Sequence, residues 1–316
     1  MLLLAVTIAS IATGPLQLTL PETWAALTGS GDPEAQFIVL NQRLPRAVCA
    51  IGVGAALGVS GMLFQRISRN PLGSPDLIGF STGAASGGLV TILVSGSASA
   101  VALAGGTIIG GFATAIAVYL LSASTRRHGE RLVLVGIAVG AMLAAVNDYL
   151  LTRSDIERAQ AAAAWKFGSM NAISWPHVLP TLLAITILLP MAAAGCQPLA
   201  ILELGEELAT TLGVNLAFWR PYLLTCGVAL AAVSVAAVGP IAFIALAAPQ
   251  LARRLLPHHH RGILPALVLG ALLLAAADFL AGRLLSPFQI PVGLITAALG
   301  GIYLLWLLAV PLRSTT

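Results

Sequence analysis

Apolar runs recur along the whole chain, and their lengths predict membrane-spanning helices. A helix needs about 20 apolar residues to cross a hydrocarbon core about 30 Å thick. Because the runs occur throughout the chain, neither a signal peptide nor a single anchor explains them. The pattern predicts an all-α polytopic membrane protein with a single transmembrane domain over residues 1–316. The runs are 2–20, 47–65, 77–95, 99–121, 132–151, 175–195, 221–252, 263–281 and 290–311.

The run 221–252 is too long for one span and carries Gly239-Pro240 near its middle. Proline removes a helix donor and restricts the residue before it, so a break is expected there. Each half is short for a bilayer, so at least one half must be shielded by protein.

The distribution of basic residues supports this break, because short cytoplasmic loops are enriched in Lys and Arg. With the break, ten basic residues lie inside and six outside, whereas without it seven lie inside and nine outside. We therefore predict about ten transmembrane helices with both termini in the cytoplasm. The inner ten are Arg66, Arg69, Arg126, Arg127, Arg131, Arg220, Arg253, Arg254, Arg261 and Arg313.

Composition supports the bilayer as solvent. Hydrophobic residues make up 58% of the chain and charged residues 9%, against about 45–50% and 25% in soluble domains. Basic loops beside anionic lipids are a sufficient reason for the net charge of +4, so no nucleic-acid partner is expected. The three cysteines, Cys49, Cys196 and Cys226, have no CxxC spacing, and packing is the expected role of such thiols.

The segment "AILELGEELATTLGVN", residues 200–215, concentrates acidic residues in the predicted inner loop 197–219. Glu203, Glu206 and Glu207 have i, i+3, i+4 spacing, which predicts one shared helix face. Gly213 is expected to end this helix. The pattern fits either a solvated elbow helix or a docking helix for a soluble partner. The apolar residues of a second face are Ile201, Leu204, Leu208 and Leu212.

Six motifs occur in order along the chain. They are "RLPR" (43–46), "GAALGVSGMLFQ" (54–65), "RNPLGSPDLIGFSTGA" (69–84), "LELGEELATTLGV" (202–214), "GPIAFIALAAP" (239–249) and "PFQIPVGLITAALGGIYLL" (287–305). Together they resemble the FecCD-type permeases, the membrane subunits of ATP-binding-cassette (ABC) importers for iron–siderophore complexes, haem and vitamin B12. The resemblance runs from about Trp24 to the C-terminus and is greatest to the ferric-enterobactin branch.

The resemblance implies a type II ABC importer permease fold with ten helices, located in the cytoplasmic (inner) membrane. It implies a cytoplasmic ABC ATPase, in two copies or as a dimer, and an extracytoplasmic siderophore-binding protein as partners. It also implies a second FecCD-type permease, in a heterodimer for the enterobactin branch, with a homodimer as the alternative. The implied substrate is a ferric siderophore, with haem or vitamin B12 as alternatives.

Two sets of site residues follow from the resemblance. Arginines at the outer face would meet acidic residues of the binding protein, although interfacial snorkelling is the alternative for Arg43 and Arg46. Many relatives have histidine at the position of Gln250, so a role of that histidine is absent or replaced here. The expected ATPase-coupling residues are Glu203, Leu204, Gly205, Glu206, Glu207, Leu212 and Gly213, and the expected docking arginines are Arg43, Arg46 and Arg283.

Other classes fit less well. An ion-coupled carrier needs buried ionisable groups, and the predicted spans hold only Asp148 and Asp278, near their outer ends. A metalloenzyme would have to use "HHHR" (258–261), but adjacent histidines do not readily turn to one ion. The chain has no GxxxxGK[ST] phosphate-binding loop, and its one lysine is Lys166. We therefore expect no catalytic residue, metal site or cofactor, and an energy source in a separate subunit.

Overall fold

The computed structural model describes residues 1–14, 16–94, 99–122, 128–256, 262–285 and 288–309. Four arginines of the charge argument, Arg126, Arg127, Arg261 and Arg313, lie outside the described residues, as does the histidine run 258–260.

The described residues form α-helices joined by short turns, and no strand occurs among them. A π-helical turn, Val39–Arg43, leads directly into the fourth α-helix. The α-helices are α1 Leu2–Ala12, α2 Leu20–Leu27, α3 Pro33–Ile38, α4 Leu44–Ile67, α5 Phe80–Leu93, α6 Ala100–Ser122, α7 His128–Thr152, α8 Ile156–Lys166, α9 Trp175–Ala194, α10 Cys196–Leu202, α11 Glu206–Thr211, α12 Leu216–Val238, α13 Ile244–Leu255, α14 Leu264–Ala281 and α15 Val292–Ala309.

Each of the ten predicted spans corresponds to a described helix. Six segments are long and apolar enough to cross a membrane by length and composition, and they contain α4, α6, α7, α9, α12 and α14. The helices α1, α5 and α15 are apolar, but their described portions are shorter. The tenth helix is α13, whose residues Ile244 to Gln250 are all buried.

The predicted break at Gly239-Pro240 is confirmed. Helix α12 ends at Val238, Gly239 has φ 77°, and α13 begins at Ile244 after Phe243, which has φ 70°. The interruption is surrounded by protein, because the Ser169 amide donates to the Val238 carbonyl (2.8 Å). As expected from the short lengths, protein shields the half that forms α13.

The first predicted span is wrong in its extent. The run 2–20 is not one helix, because α1 ends at Ala12 and the next residue, Thr13, is extended. Helix α2 starts separately behind a capping box in which Thr19 and Glu22 exchange hydrogen bonds. That local signal starts α2 as a separate helix, and Gly14-Pro15 in the sequence disfavours one helix through residues 2–20 although hydropathy continues.

Helix α4 lies at the centre of the fold and is almost entirely buried. It contacts α12, α13 and α14. Small residues make the close approach possible: a Cβ atom at Gly58 would overlap the Ala266 carbonyl, and one at Gly61 would overlap the Ala245 carbonyl. These glycines therefore serve helix packing.

Gly61→Ala is expected to destabilise the protein by about 1–3 kcal/mol, because the added methyl group meets the α13 backbone and forces a shift. The matched control is Gly105→Ala in α6, where an added Cβ meets no atom within 4 Å. Thermal unfolding in detergent compares the two variants. Equal melting temperatures for both would contradict the close contact of α4 with α13.

Candidate functional site

The predicted site residues gather near the two ends of α4. Its 24 residues correspond to a length of about 36 Å. Arg43 and Arg46 lie at the start of the helix, and Arg66 lies in its last turn. The two groups of predicted site residues are therefore far apart, as expected for opposite faces of a membrane protein.

The acidic segment forms two short helices instead of one. We call residues 196–213 the elbow. Helix α10 ends at Leu202, Glu203 follows as its C-cap, and Gly205 has φ 122° before α11 begins at Glu206. The single helix face predicted for the three glutamates is therefore wrong, because a positive φ that only glycine adopts easily separates Glu203 from the other two.

Glu203 is held by its own chain. Arg66, whose side chain is 7% exposed, donates to both carboxylate oxygens of Glu203 at 2.5 and 3.0 Å. Arg253 of α13 is close enough for Glu203 to stabilise its charge, and its guanidinium donates to Gln65 Oε1 (3.0 Å). Gln65 in turn donates to the Leu246 carbonyl (2.9 Å). This polar chain joins the elbow to α4 and α13.

Glu206 and Glu207 differ in their surroundings. Arg220 at the start of α12 donates to Glu206 at 2.9 Å, whereas Glu207 is exposed on α11. Gly213, with φ 80°, ends α11 as predicted: its amide bonds the Thr210 carbonyl, and the Val214 amide bonds the Ala209 carbonyl.

Leu204, Leu208 and Leu212 of the elbow are 62%, 54% and 58% exposed. We call these three residues the leucine surface. Exposed apolar side chains beside a carboxylate such as Glu207 are typical of a protein interface. The elbow thus presents the leucine surface outward, while Glu203 and Glu206 are bonded within the chain.

Two of the predicted docking arginines bind backbone carbonyl groups at the end of α1. Arg43 donates to the carbonyls of Ile11 (2.8 Å), Ala12 (2.9 Å) and Leu16. Arg283 donates to the carbonyls of Phe279 (2.9 Å) and Thr13 (2.9 Å). The carbonyls that a helix C-terminus leaves without intrahelical partners favour such cationic contacts.

The third predicted docking arginine makes an ion pair across the fold. Arg46 donates to both oxygens of Asp278 at 2.9 Å, and the carboxylate is 6% exposed. The two partners are 232 residues apart in the sequence. The pair lies at a cavity of about 550 Å³ that Arg43, Arg46, Arg283 and Asp278 all line. Three guanidinium groups and one carboxylate give this cavity an excess of positive charge.

Asp76 is a partly buried ionisable residue that the sequence reasoning missed. Its Oδ1 accepts from the Ser81 hydroxyl (2.6 Å), and the Phe243 backbone amide is close enough to stabilise the charge of the carboxylate. The residue is partly exposed, but Oδ2 is buried and has no hydrogen-bond partner. Burial is the largest influence and raises the pKa of Asp76 to about 6. The signal was the triplet Ser-Pro-Asp just before α5, a composition typical of a turn leading into a helix.

The remaining acidic and metal-binding candidates are less informative. Asp148 accepts from Lys166 at 2.6 Å and is 66% exposed. Within the described ranges, no group of three or more His, Cys, Asp or Glu side chains is placed to hold a metal ion.

The model of the FecCD transport family matches residues 2–310. The ferric enterobactin permease FepG of Escherichia coli K12 is 41% identical over 298 residues, covering 94% of this chain and 90% of FepG. The hemin permease HmuU of Yersinia pestis is 36% identical over 315 residues, covering 97% and 92%.

A solved structure is similar over nearly the whole chain. It is an inward-facing conformation of a transporter described as a metal-chelate type ABC transporter, with a TM-score of 0.87, 31% identity and coverage of 98% of this chain and 96% of that one. The sequence motifs, the ten-helix pattern and these matches agree. The chain therefore belongs to the FecCD transport family.

Proposed function

We propose that the chain is the permease subunit of an ABC importer that carries a ferric siderophore of the catecholate type across the cytoplasmic membrane. The observation that carries the proposal is the 41% identity with a ferric enterobactin permease over 94% of the chain. The ten-helix fold and its similarity to a metal-chelate type ABC transporter support it.

Energy comes from a separate ATPase, in two copies or as a dimer, that docks on the elbow from the cytoplasm. The sequence has no GxxxxGK[ST] loop of its own. The leucine surface and Glu207 supply the apolar and acidic contacts to the ATPase. Glu203 and Glu206 support the elbow from within, through Arg66 and Arg220. With the elbow in the cytoplasm, both chain termini lie on the same side.

At the opposite end, an extracytoplasmic siderophore-binding protein docks on the arginine cavity. Asp278 engages Arg46, so the cavity keeps the excess positive charge of Arg43 and Arg283. Acidic side chains of a binding protein would balance it through charge-assisted hydrogen bonds. Arg43 and Arg283 also hold the end of α1 in place through their hydrogen bonds to its carbonyl groups.

A second FecCD-type permease completes the transport path. In the most apolar stretches of α6, α7 and α9, only 22% of the residues are buried inside the chain. These helices therefore have apolar surface available for lipid or a second permease. A heterodimer is favoured by the similarity to FepG. A homodimer is the alternative.

Haem is the second candidate substrate, and the specific observation in its favour is the 36% identity with the hemin permease HmuU over 97% of the chain. We rank a ferric catecholate first because the identity with FepG is greater.

Substrate uptake tests this order. The permease is co-expressed with its partner permease and ATPase and reconstituted into vesicles with the binding protein. The vesicles are offered ferric catecholate or haem labelled at the iron, or cobalamin labelled at the cobalt. Ferric catecholate uptake is expected to exceed the other two by at least about tenfold, since a path that hydrogen-bonds the siderophore leaves its own polar groups unpaired when a different cargo occupies it. Equal or greater uptake of haem would reject the catecholate assignment in favour of the second candidate.

A further inference from the structure

The motif "RNPLGSPDLIG" forms a non-helical loop between α4 and α5, residues 68–79, which the proposed function leaves without a role. The loop exposes Leu72 and Leu77, each 43%. Its first part is tied to the end of α4, because the Asn70 amide donates to the Gln65 carbonyl (3.1 Å). The rest of the loop contacts α13 at two polar points.

The first contact is made by Gln250, which is 4% exposed. Its Nε2 donates to the Pro71 carbonyl at 2.7 Å, and its Oε1 accepts from the Tyr303 hydroxyl at 3.2 Å. One buried side chain thus joins the loop, α13 and α15. Proline carbonyls in a turn have no helical partner, so removing this donor leaves the Pro71 carbonyl to find another one.

The second contact is made by Asp76, whose carboxylate lies close enough to the backbone amide of Phe243, just before α13, for that amide to stabilise its negative charge. The first amide groups of a helix lack intrahelical acceptors and favour a nearby carboxylate. Phe243 has φ 70°, which is strained for a residue with a Cβ atom. Its ring packs on Gly300 of α15, where an added Cβ would overlap it. Asp76 therefore holds a strained residue at the break between α12 and α13.

Helix α13 is also bonded to the part of α4 that binds the elbow. Gln65 of α4 bonds both Leu246 and Arg253, and Arg66, next to Gln65, binds Glu203 of the elbow. The loop, α13 and the elbow are therefore connected by consecutive polar contacts, with α13 in the middle.

We propose that Asp76 and Gln250 are positioning residues that clamp the 68–79 loop onto α13, so that loop and helix move as one unit when the elbow moves. The proposal rests on the proposed function, because it assumes that an ATPase moves the elbow. The two contacts are made by residues of different segments, Asp76 in the loop and Gln250 in α13, which are 174 positions apart in the sequence. Together they fix both the position and the orientation of the loop, which a single hydrogen bond does not.

Spin-label distance measurements test the clamp. In a chain whose three cysteines are replaced, labels at Leu72→Cys and Leu255→Cys report the distance between the loop and α13. Both positions are exposed, at 43% and 63%. A second pair, Leu255→Cys with Ile137→Cys on α7, is the reference. The complex is measured in lipid without nucleotide and trapped with ATP.

The clamp predicts the same narrow distance between Leu72 and Leu255 in both nucleotide states. Gln250→Leu and Asp76→Leu are each expected to broaden that distribution about twofold, because the loop then has alternative positions. Gln250→His, which keeps a ring donor and acceptor, and Asp76→Asn, which keeps Oδ1 and resembles the protonated acid, are expected to retain the narrow distribution. Comparing the leucine variant with the polar variant at each position separates the loss of polar contacts from the effect of any substitution at that position.

Two results would overturn the clamp: a Leu72 to Leu255 distance that changes between nucleotide states in the wild type, or leucine variants with wild-type width. If the leucine variants do not fold, the wild-type comparison still decides. The chain alone in lipid gives the width comparison without any ATPase. Absence of ATP-driven uptake together with the predicted widths would therefore contradict the proposed function and leave the clamp intact.

Discussion

Leu208→Asp is expected to lower the amount of ATPase that co-purifies with the permease by at least about tenfold, the loss typical of a charge placed in the centre of an apolar interface. Leu208 is 54% exposed and lies between the other two leucines of the leucine surface. Docking would bury it, and an aspartate there would lose its water without gaining a partner. Affinity capture from detergent-solubilised membranes measures the effect, with the permease quantified in the same sample.

The matched control is Ile156→Asp. Ile156 is the first residue of α8 and is 76% exposed, so the same substitution is made on apolar surface away from the elbow. It is expected to leave ATPase capture unchanged. Reversal of Glu206 is a poorer test, because it also breaks the internal ion pair with Arg220. Full ATPase capture by Leu208→Asp would show that the elbow does not dock the ATPase through this surface.

Arg46→Met is expected to destabilise the protein by about 3–5 kcal/mol, the cost of leaving a buried charge without its partner. The charge left behind is Asp278, which is 6% exposed and receives its bidentate contact from Arg46. The measurement is the temperature at which half of the protein remains monodisperse in detergent. Loss of binding-protein docking in this variant would be interpretable only after that stability is known.

Two further variants complete the test. Arg46→Met combined with Asp278→Leu removes both charges and is expected to recover most of the stability, since the unpaired carboxylate is gone. Arg153→Met, at an exposed arginine beyond the end of α7, is expected to change stability by less than about 0.5 kcal/mol. Wild-type stability of Arg46→Met alone would mean that the ion pair with Asp278 contributes nothing.

Features with a local signal were predictable from the sequence. The positions of the ten helices follow from apolar runs, and the break between α12 and α13 follows from Gly239-Pro240, because proline acts on its own helix. The end of α11 at Gly213 follows from the αL conformation that glycine permits. A division of the run 2–20 into two helices was also readable, since Gly14-Pro15 disfavours one continuous helix and the capping-box spacing of Thr19 and Glu22 signals a new start.

The partners of the site residues were not predictable in this way. Glu203 meets Arg66 across 137 residues, and Asp278 meets Arg46 across 232. Such pairs depend on how helices pack, which periodicity does not contain. The elbow glutamates were grouped by helical spacing alone, but Gly205 interrupts the helix between them. Asp76 was overlooked because it lies one residue before an apolar run, whereas its contact is with Phe243, far along the chain.

Under the proposed function, nucleotide hydrolysis by a partner and not an ion gradient drives this permease. The most direct measurement loads vesicles containing the complete complex with ATP, adds binding protein and labelled ferric catecholate outside, and follows uptake. The account predicts uptake with ATP inside and none with an imposed proton gradient alone. Uptake driven by the proton gradient in the absence of ATP would contradict it.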